Sequence, residues 1–359
     1  MSMQKRVSVN THYTRSINLE RDASSVDVVK AYIPTSRALR TFARVADTLH
    51  EEQAPRAWSW IGPYGSGKSS ASVFLGQLLA SPTDVAAVEA FKVLRKSDKA
   101  IAASFKRVTK DTTGCLRVLL TGSPEPMGTR IVKGLLDSAQ EYWAAKPGKK
   151  PSFLKELDKL ARKEKISTTE IINAFVMLQT ALAQSDCAGI VLVIDELGKF
   201  LEYEARHYGA NDIYLLQALA EHACSGNRVN LMLFVLLHQS FEQYAKGLGE
   251  SLKNEWSKVQ GRFEEVPFLE SAEQVLRVVS AAFVDNFKPA EKAELSDSIE
   301  KVINILEKQD ALPGAMRHEE AVALFSSCYP LHPVSALLLP ALCQKIAQNE
   351  RTLFSYLGS

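Results

Sequence analysis

The chain has 359 residues, 46% of them hydrophobic and 23% charged, with a formal net charge of +2. That is enough for a large buried core, read here as one main domain and a smaller partner. The balance of 43 basic and 41 acidic residues excludes a wholly cationic nucleic-acid binder and leaves only local basic segments to consider.

Residues 1–33 are polar and weakly patterned and read as an N-terminal arm, extended or with a few irregular turns. Pro34 ends the extended stretch, and Ala38 to His50 carries apolar residues at helical spacing (Leu39, Phe42, Val45, Leu49). Tyr32 and Ile33, just ahead of this helix, are candidates for contact with a nucleotide base, with ordinary packing as the alternative.

Ala57-Trp58-Ser59-Trp60-Ile61 then reads as a buried strand, and Ser69 to Ala80 as a helix. Between them stands Gly62-Pro63-Tyr64-Gly65-Ser66-Gly67-Lys68-Ser69, which fits the phosphate-binding pattern G-x-x-x-x-G-K-[ST]. The chemistry requires this order of elements. Glycines let consecutive backbone N–H groups turn inward at a helix N-terminus, making an anion nest. Lys68 would reach the outer phosphates of ATP, and the Ser69 hydroxyl would ligate Mg²⁺. Gly62 to Ser70 is therefore the expected nucleotide-binding stretch.

Residues 83–111 read as one or two helices with a basic face: Lys92, Arg95, Lys96, Lys99, Lys106, Arg107 and Lys110. Such a face is either simply solvated or a contact for DNA. Cys115 to Thr121 is the next strand, closed by Gly122-Ser123-Pro124, and residues 128–145 form a helix. Lys146 to Lys165 holds eight basic residues against three acidic ones, a net +5, and reads as a surface insertion (146–167) of loop and short helix. It too is a candidate for phosphate-backbone contact. Thr168 to Gln184 is helical.

Gly189 to Ile194 is an unbroken apolar run ending in Asp195-Glu196. Such a run belongs at the centre of a parallel sheet, and ligands sit beyond the carboxyl ends of its strands. This is the Walker B pattern, in which Asp195 holds Mg²⁺ and Glu196 orients the attacking water. A second use for the two carboxylates is capping the following helix. If the Cys115–Thr121 strand lies between the two motif strands in the sheet, the arrangement is that of ATPases with a catalytic glutamate. The next buried strand, Asn230 to Leu237, ends in His238 and Gln239, candidates for sensing the γ-phosphate. Ser240 to Lys258 reads as a helix, and Glu264 to Phe268 as the last strand. Arg262, just before it, is a candidate arginine finger acting in trans, or else a local partner of Glu264 or Glu265.

From Ser271 onward the pattern is helical (271–287, 291–308, 318–328, 333–347), giving an all-α lid over 270–359 after a core over 34–269. His332 and Arg351 are the lid residues considered for nucleotide contact. Cys115, Cys187, Cys224, Cys328 and Cys343 form no C-x-x-C pair and read as thiols of a reducing cytosol, not as disulfides or zinc ligands. No run approaches the ~20 apolar residues of a membrane span, and Lys5 and Arg6 lead into no apolar run, so a cytoplasmic location is expected.

Taken in order, the P-loop, Asp195-Glu196, His238-Gln239 and Gly261-Arg262-Phe263 make the chain resemble AAA+ and origin-recognition or STAND-like ATPases. The strings Gly62–Ser70, Val193–Phe200, Leu237–Tyr244, Gln260–Phe268, Tyr329–Pro333 and Gln348–Phe354 resemble the N-terminal ATPase module of large bacterial anti-phage proteins of the BREX type. The resemblance implies an α/β P-loop (ASCE/AAA+) fold with a helical lid, ATP and Mg²⁺ as cofactors, and assembly into homo-oligomers. It further implies other defence-system proteins as partners and continuation into a longer chain. A nucleotide-gated switch with little turnover is the alternative. A small-molecule kinase is disfavoured, because no acceptor site is evident.

Overall fold

The computed structural model describes residues 6–10, 17–51, 54–144, 146, 150–207, 212–226, 229–244, 256–314 and 316–346. Lys149, Arg351 and the Gln348–Phe354 string lie outside them. The strands are β1 (Val7–Val9), β2 (Ala57–Ile61), β3 (Cys115–Thr121), β4 (Gly189–Asp195), β5 (Leu231–Leu237), β6 (Glu264–Pro267) and β7 (Phe283–Asp285). The helices up to residue 182 are α1 (Val26–Ala31), α2 (Ser36–Thr48), α3 (Lys68–Leu78), α4 (Val85–Ser97), α5 (Lys99–Thr109), α6 (Met127–Ala144), α7 (Phe153–Ala161) and α8 (Thr168–Leu182). Beyond them come α9 (Gly198–Arg206), α10 (Asp212–Ala223), α11 (Phe241–Tyr244), α12 (Ala272–Ala281), α13 (Pro289–Lys308), α14 (His318–Ser327) and α15 (Pro333–Ile346).

The chain divides into two compact units. One comprises Asn18–Pro63 and Gly67–Phe268, the other Met1–Ile17, Tyr64–Ser66 and Leu269–Ser359. The larger unit is a P-loop α/β fold, built on a five-stranded parallel sheet in the order β3-β4-β5-β2-β6. All seven residues of β4 and all seven of β5 are buried, as central parallel strands require. Alternate residues face opposite layers. Leu116, Val118, Leu120, Ile190, Leu192, Leu233 and Val235 join Ile131, Leu135, Phe175, Leu178, Leu216 and Leu219 from α6, α8 and α10. On the other face Arg117 reaches Gly76 of α3, and Phe234 packs against Trp58 and Trp60.

Two expectations are corrected here. The Cys115–Thr121 strand does not lie between the motif strands; among the described residues it is an outer edge of the sheet, paired with β4. The strand that separates β2 from β4 is β5. In addition, residues 18–31 are no free arm. Asp22 and Ser25 fold them into a turn and α1, Glu20 accepts from the Thr121 backbone and from Arg130, and Gln77 donates to the Ala23 carbonyl.

In the smaller unit, Leu276, Val279, Ile299, Ile303, Ala321, Leu324 and Phe325 form the core between α12, α13 and α14. It is not all-α: β1 pairs antiparallel with β7, Val7 opposite Asp285, and Arg6 bridges Glu291 at 2.5 Å. Among the described residues, no helix is long and apolar enough to cross a membrane.

Candidate functional site

The sheet's register explains why distant motifs meet. Ile61 stands beside Leu237, and the Gly62 N–H donates to the Leu237 carbonyl at 3.1 Å. Ile194 stands beside Val235, and the Leu197 N–H donates to the Leu236 carbonyl at 3.2 Å. The phosphate loop after β2, the tip of β5 and the acidic turn after β4 therefore leave the same carboxyl edge. Neighbouring strands are about 4.8 Å apart, so the loop and the acidic turn flank the His238 tip.

The loop's backbone follows from its glycines. Gly65 (φ 76°) and Gly67 (φ 87°) take left-handed conformations that cost an L side chain free energy. A Cβ on Gly67 would meet nothing within 4 Å, so open space adjoins the N-terminus of α3. Lys68 is buried at 8% exposure, and its ammonium donates to the Gly62 and Pro63 carbonyls at 2.6 and 2.9 Å. Burial pushes its pKa down to about 8, against the opposing pull of Asp195 and Glu196. The Ser69 hydroxyl donates to Asp195 Oδ2 at 2.6 Å. Burial raises the Asp195 pKa, while the bonds from Ser69 and from the Glu196 N–H (2.8 Å) oppose the rise.

Glu196 itself has φ 51°, left-handed for a non-glycine residue, and its carboxylate pairs with Lys199 at 2.6 Å. Two glycines unremarked as site residues support this turn. Gly122 donates its N–H to the Asp195 carbonyl, and a Cβ there would stand 2.2 Å from the Glu196 carbonyl oxygen. Gly198 adjoins the Tyr244 ring so closely that a Cβ there would collide with it. His238 is half-buried; burial lowers its pKa, Glu202 and Glu196 oppose the shift, and Lys68 adds to it. Gln239 is partly exposed beside it.

The donor set fits Mg²⁺ and a polyphosphate. Magnesium takes hard oxygen ligands and keeps several waters, using one or two protein groups plus phosphate oxygens; Ser69 Oγ and Asp195 Oδ2 are such a pair. A buried ammonium at a helix N-terminus, behind a glycine loop, is complementary to phosphate. Ser66 and Ser70 are partly exposed, and Tyr64 is 38% exposed.

Other sequence-selected residues lie elsewhere. Arg262 precedes β6, at the amino edge of the sheet, and pairs with Glu221 of α10 at 3.1 Å. The expected local partners were Glu264 and Glu265; Glu264 pairs with Arg44 instead. A five-residue strand spans about 17 Å, so Arg262 is on the opposite edge from its own phosphate loop. Tyr32 packs against Phe74 of α3 at 4.5 Å between ring centroids and lies near Phe42. His332 accepts from the Val334 N–H at 3.3 Å and so caps α15. The lysines and arginines named on α4 and α5 are all exposed. In the 146–165 segment, Lys163 pairs with Glu170 at 2.6 Å, Arg162 with Asp158 at 2.9 Å, and Lys146 lies over the Tyr142 ring. Phe153, Leu154 and Leu157 anchor α7 to the main core.

No family model matches the chain, and no curated protein matches it. Among solved structures, the chain is similar to the ORC2 protein of Aeropyrum pernix in its ADPNP-ADP complexes. Identity is 11%, the match covers 88% of this chain and 75% of that one, and the TM-score is 0.40. At that level no function passes from that protein to this chain.

Proposed function

We propose that this chain is a Mg²⁺-dependent ATPase of the AAA+ type. One observation carries the reading: the Ser69–Asp195 hydrogen bond of 2.6 Å beside buried Lys68, at the end of a glycine loop that opens a helix. In this reading the backbone of Gly62–Ser70 and the Lys68 ammonium bind phosphate. Ser69 and Asp195 hold Mg²⁺, which when bound supplies charge neutralisation for phosphoryl transfer. Glu196 orients water, and His238 with Gln239 reports on the terminal phosphate. The position of Arg262 at the far edge of the sheet supports action on a neighbouring subunit's nucleotide and not on its own. The resemblance to BREX-type proteins extends the proposal to a cytoplasmic genome-defence role, with other defence proteins and DNA as partners.

A nucleotide-gated switch with little turnover is the second reading, favoured by the pairing of Glu196 with Lys199. Titration calorimetry with ATP, with and without Mg²⁺, tests the site on the full chain. The proposal expects binding that strengthens with Mg²⁺ and is lost in Lys68→Ala. Equal affinity in that variant refutes it. Sustained phosphate release by the wild type counts against the switch.

A further inference from the structure

Beyond the residues that meet nucleotide in the reading above, one side chain joins two parts of the site. Tyr244, on the four-residue helix α11, is buried at 8% exposure. Its hydroxyl lies 2.7 Å from His238 Nδ1 and 3.2 Å from Nε2. The two rings meet edge-on, at 80° and 5.2 Å between centroids. The phenol reaches this place across the first residue of α9. A Cβ on Gly198 would stand 2.3 Å from the Tyr244 hydroxyl oxygen and 2.6 Å from its Cζ, closer than real Cβ contacts. Gly198 begins its helix three residues after Asp195 and two after Glu196, the residue with positive φ.

We propose that Tyr244 is a positioning residue: its ring, edge-on to the imidazole, and its hydroxyl, within reach of both ring nitrogens, fix the orientation of His238. The bare Cα of Gly198 is what admits the phenol. The orientation of His238 is thereby tied to the turn that carries Asp195 and Glu196. A hydroxyl this close to both nitrogens lies off the lone pair of each, so the contact restrains where the ring sits and does not select a tautomer. Glu202, Lys68 and Glu196 act electrostatically on the ring, so where it sits bears on the charges of the site. This inference rests on the ATPase reading for its consequence, but not for its geometry.

The test is Tyr244→Phe in the full chain, which keeps the ring against Gly198 and removes only the hydroxyl. The first readout is the pair of imidazole ¹⁵N resonances of His238, assigned by their loss in His238→Asn. The wild type is expected to show a pair of shifts displaced by the adjacent hydroxyl. In Tyr244→Phe that displacement is lost and the ¹⁵N pair moves. The second readout is steady-state ATP hydrolysis, where kcat falls about tenfold or more, as for other orienting partners, while KM stays within about twofold. Gly198→Ala, which pushes the phenol away, should move the ¹⁵N pair in the same direction. Unchanged ¹⁵N shifts in Tyr244→Phe overturn the proposal. So does a changed ¹⁵N pair with unchanged kcat, because the orientation would then have no bearing on the reaction. A wild type that releases no phosphate refutes the ATPase reading instead, and the ¹⁵N readout still decides whether Tyr244 holds His238.

Discussion

Replacing Lys68 by Met should make the α/β unit relatively more stable at pH 7 than at pH 10, while abolishing nucleotide binding. The amine is buried among carbonyls, and its pKa is brought from the ordinary 10.5 down to about 8. A difference of that size corresponds to roughly 3 kcal/mol. Between pH 8 and 10.5 the unfolded chain keeps the Lys68 proton that the folded chain has released. The unfolded state binds more protons there, so wild-type stability rises with pH through this window. Below about pH 8 both states are protonated, and the penalty of the buried charge is present in full. Met removes that penalty but strands the Gly62 and Pro63 carbonyls, a cost of about 1 kcal/mol each that does not depend on pH. The change in the wild-type-to-variant difference from pH 7 to pH 10 therefore isolates the amine, at roughly 2–3 kcal/mol. All four tryptophans (Trp58, Trp60, Trp143 and Trp256) belong to the α/β unit, so fluorescence-monitored urea unfolding reports on that unit. A stability difference that is the same at the two pH values would refute the argument that Lys68 is held at a cost for phosphate.

Gly122→Ala drives a methyl group into the Glu196 carbonyl, a backbone atom that cannot swing aside. It should cost about 1–3 kcal/mol in urea unfolding and also weaken Mg²⁺-dependent ATP binding. Arg262→Ala removes an exposed ion pair with Glu221 and should change stability by less than about 1 kcal/mol. If Arg262 acts in trans, the same variant loses hydrolysis even at high protein concentration, and mixing it with Lys68→Ala restores part of the rate. Reversing the charge of Lys150, Lys155, Lys159 and Lys165, all exposed, should weaken duplex DNA binding and flatten its salt dependence. If affinity and slope are both unchanged, the segment is only a solvated face.

The elements best read from sequence are those whose environment is uniform. β4 up to Asp195 and the whole of β5 are apolar because they are covered on both faces, and β3 runs over the residues expected of it, Cys115–Thr121. The P-loop was legible because its chemistry requires glycines at fixed spacing. Sheet order was not. Arg117 interrupts the apolar run of β3 where that of β5 is unbroken, but neither strand carries a mark of which one stands between β2 and β4. β1 and β7, at three residues each, are too short to show an alternating pattern. The turn before α1 read as an arm because contacts such as Glu20 with Thr121 join residues 101 positions apart. The supporting residues of the site were hidden for the same reason. Gly122 appeared only as a strand stop and Tyr244 only as part of a helix. Their roles lie in close approaches to Glu196 and Gly198 that no local pattern encodes. Arg262 pairs with Glu221 on α10 and not with Glu264 or Glu265 beside it.

Hydrolysis is the deciding property of this site. Steady-state phosphate release and equilibrium ATP binding, measured together on the wild type and on Glu196→Gln, test it most directly. Removal of a group that orients the attacking water costs about 10²–10⁴-fold in rate. The prediction is Mg²⁺-dependent turnover by the wild type, falling by that order in Glu196→Gln with ATP affinity retained. Equal phosphate release by the two proteins would contradict the assignment of Glu196, and no release by the wild type would contradict the ATPase itself.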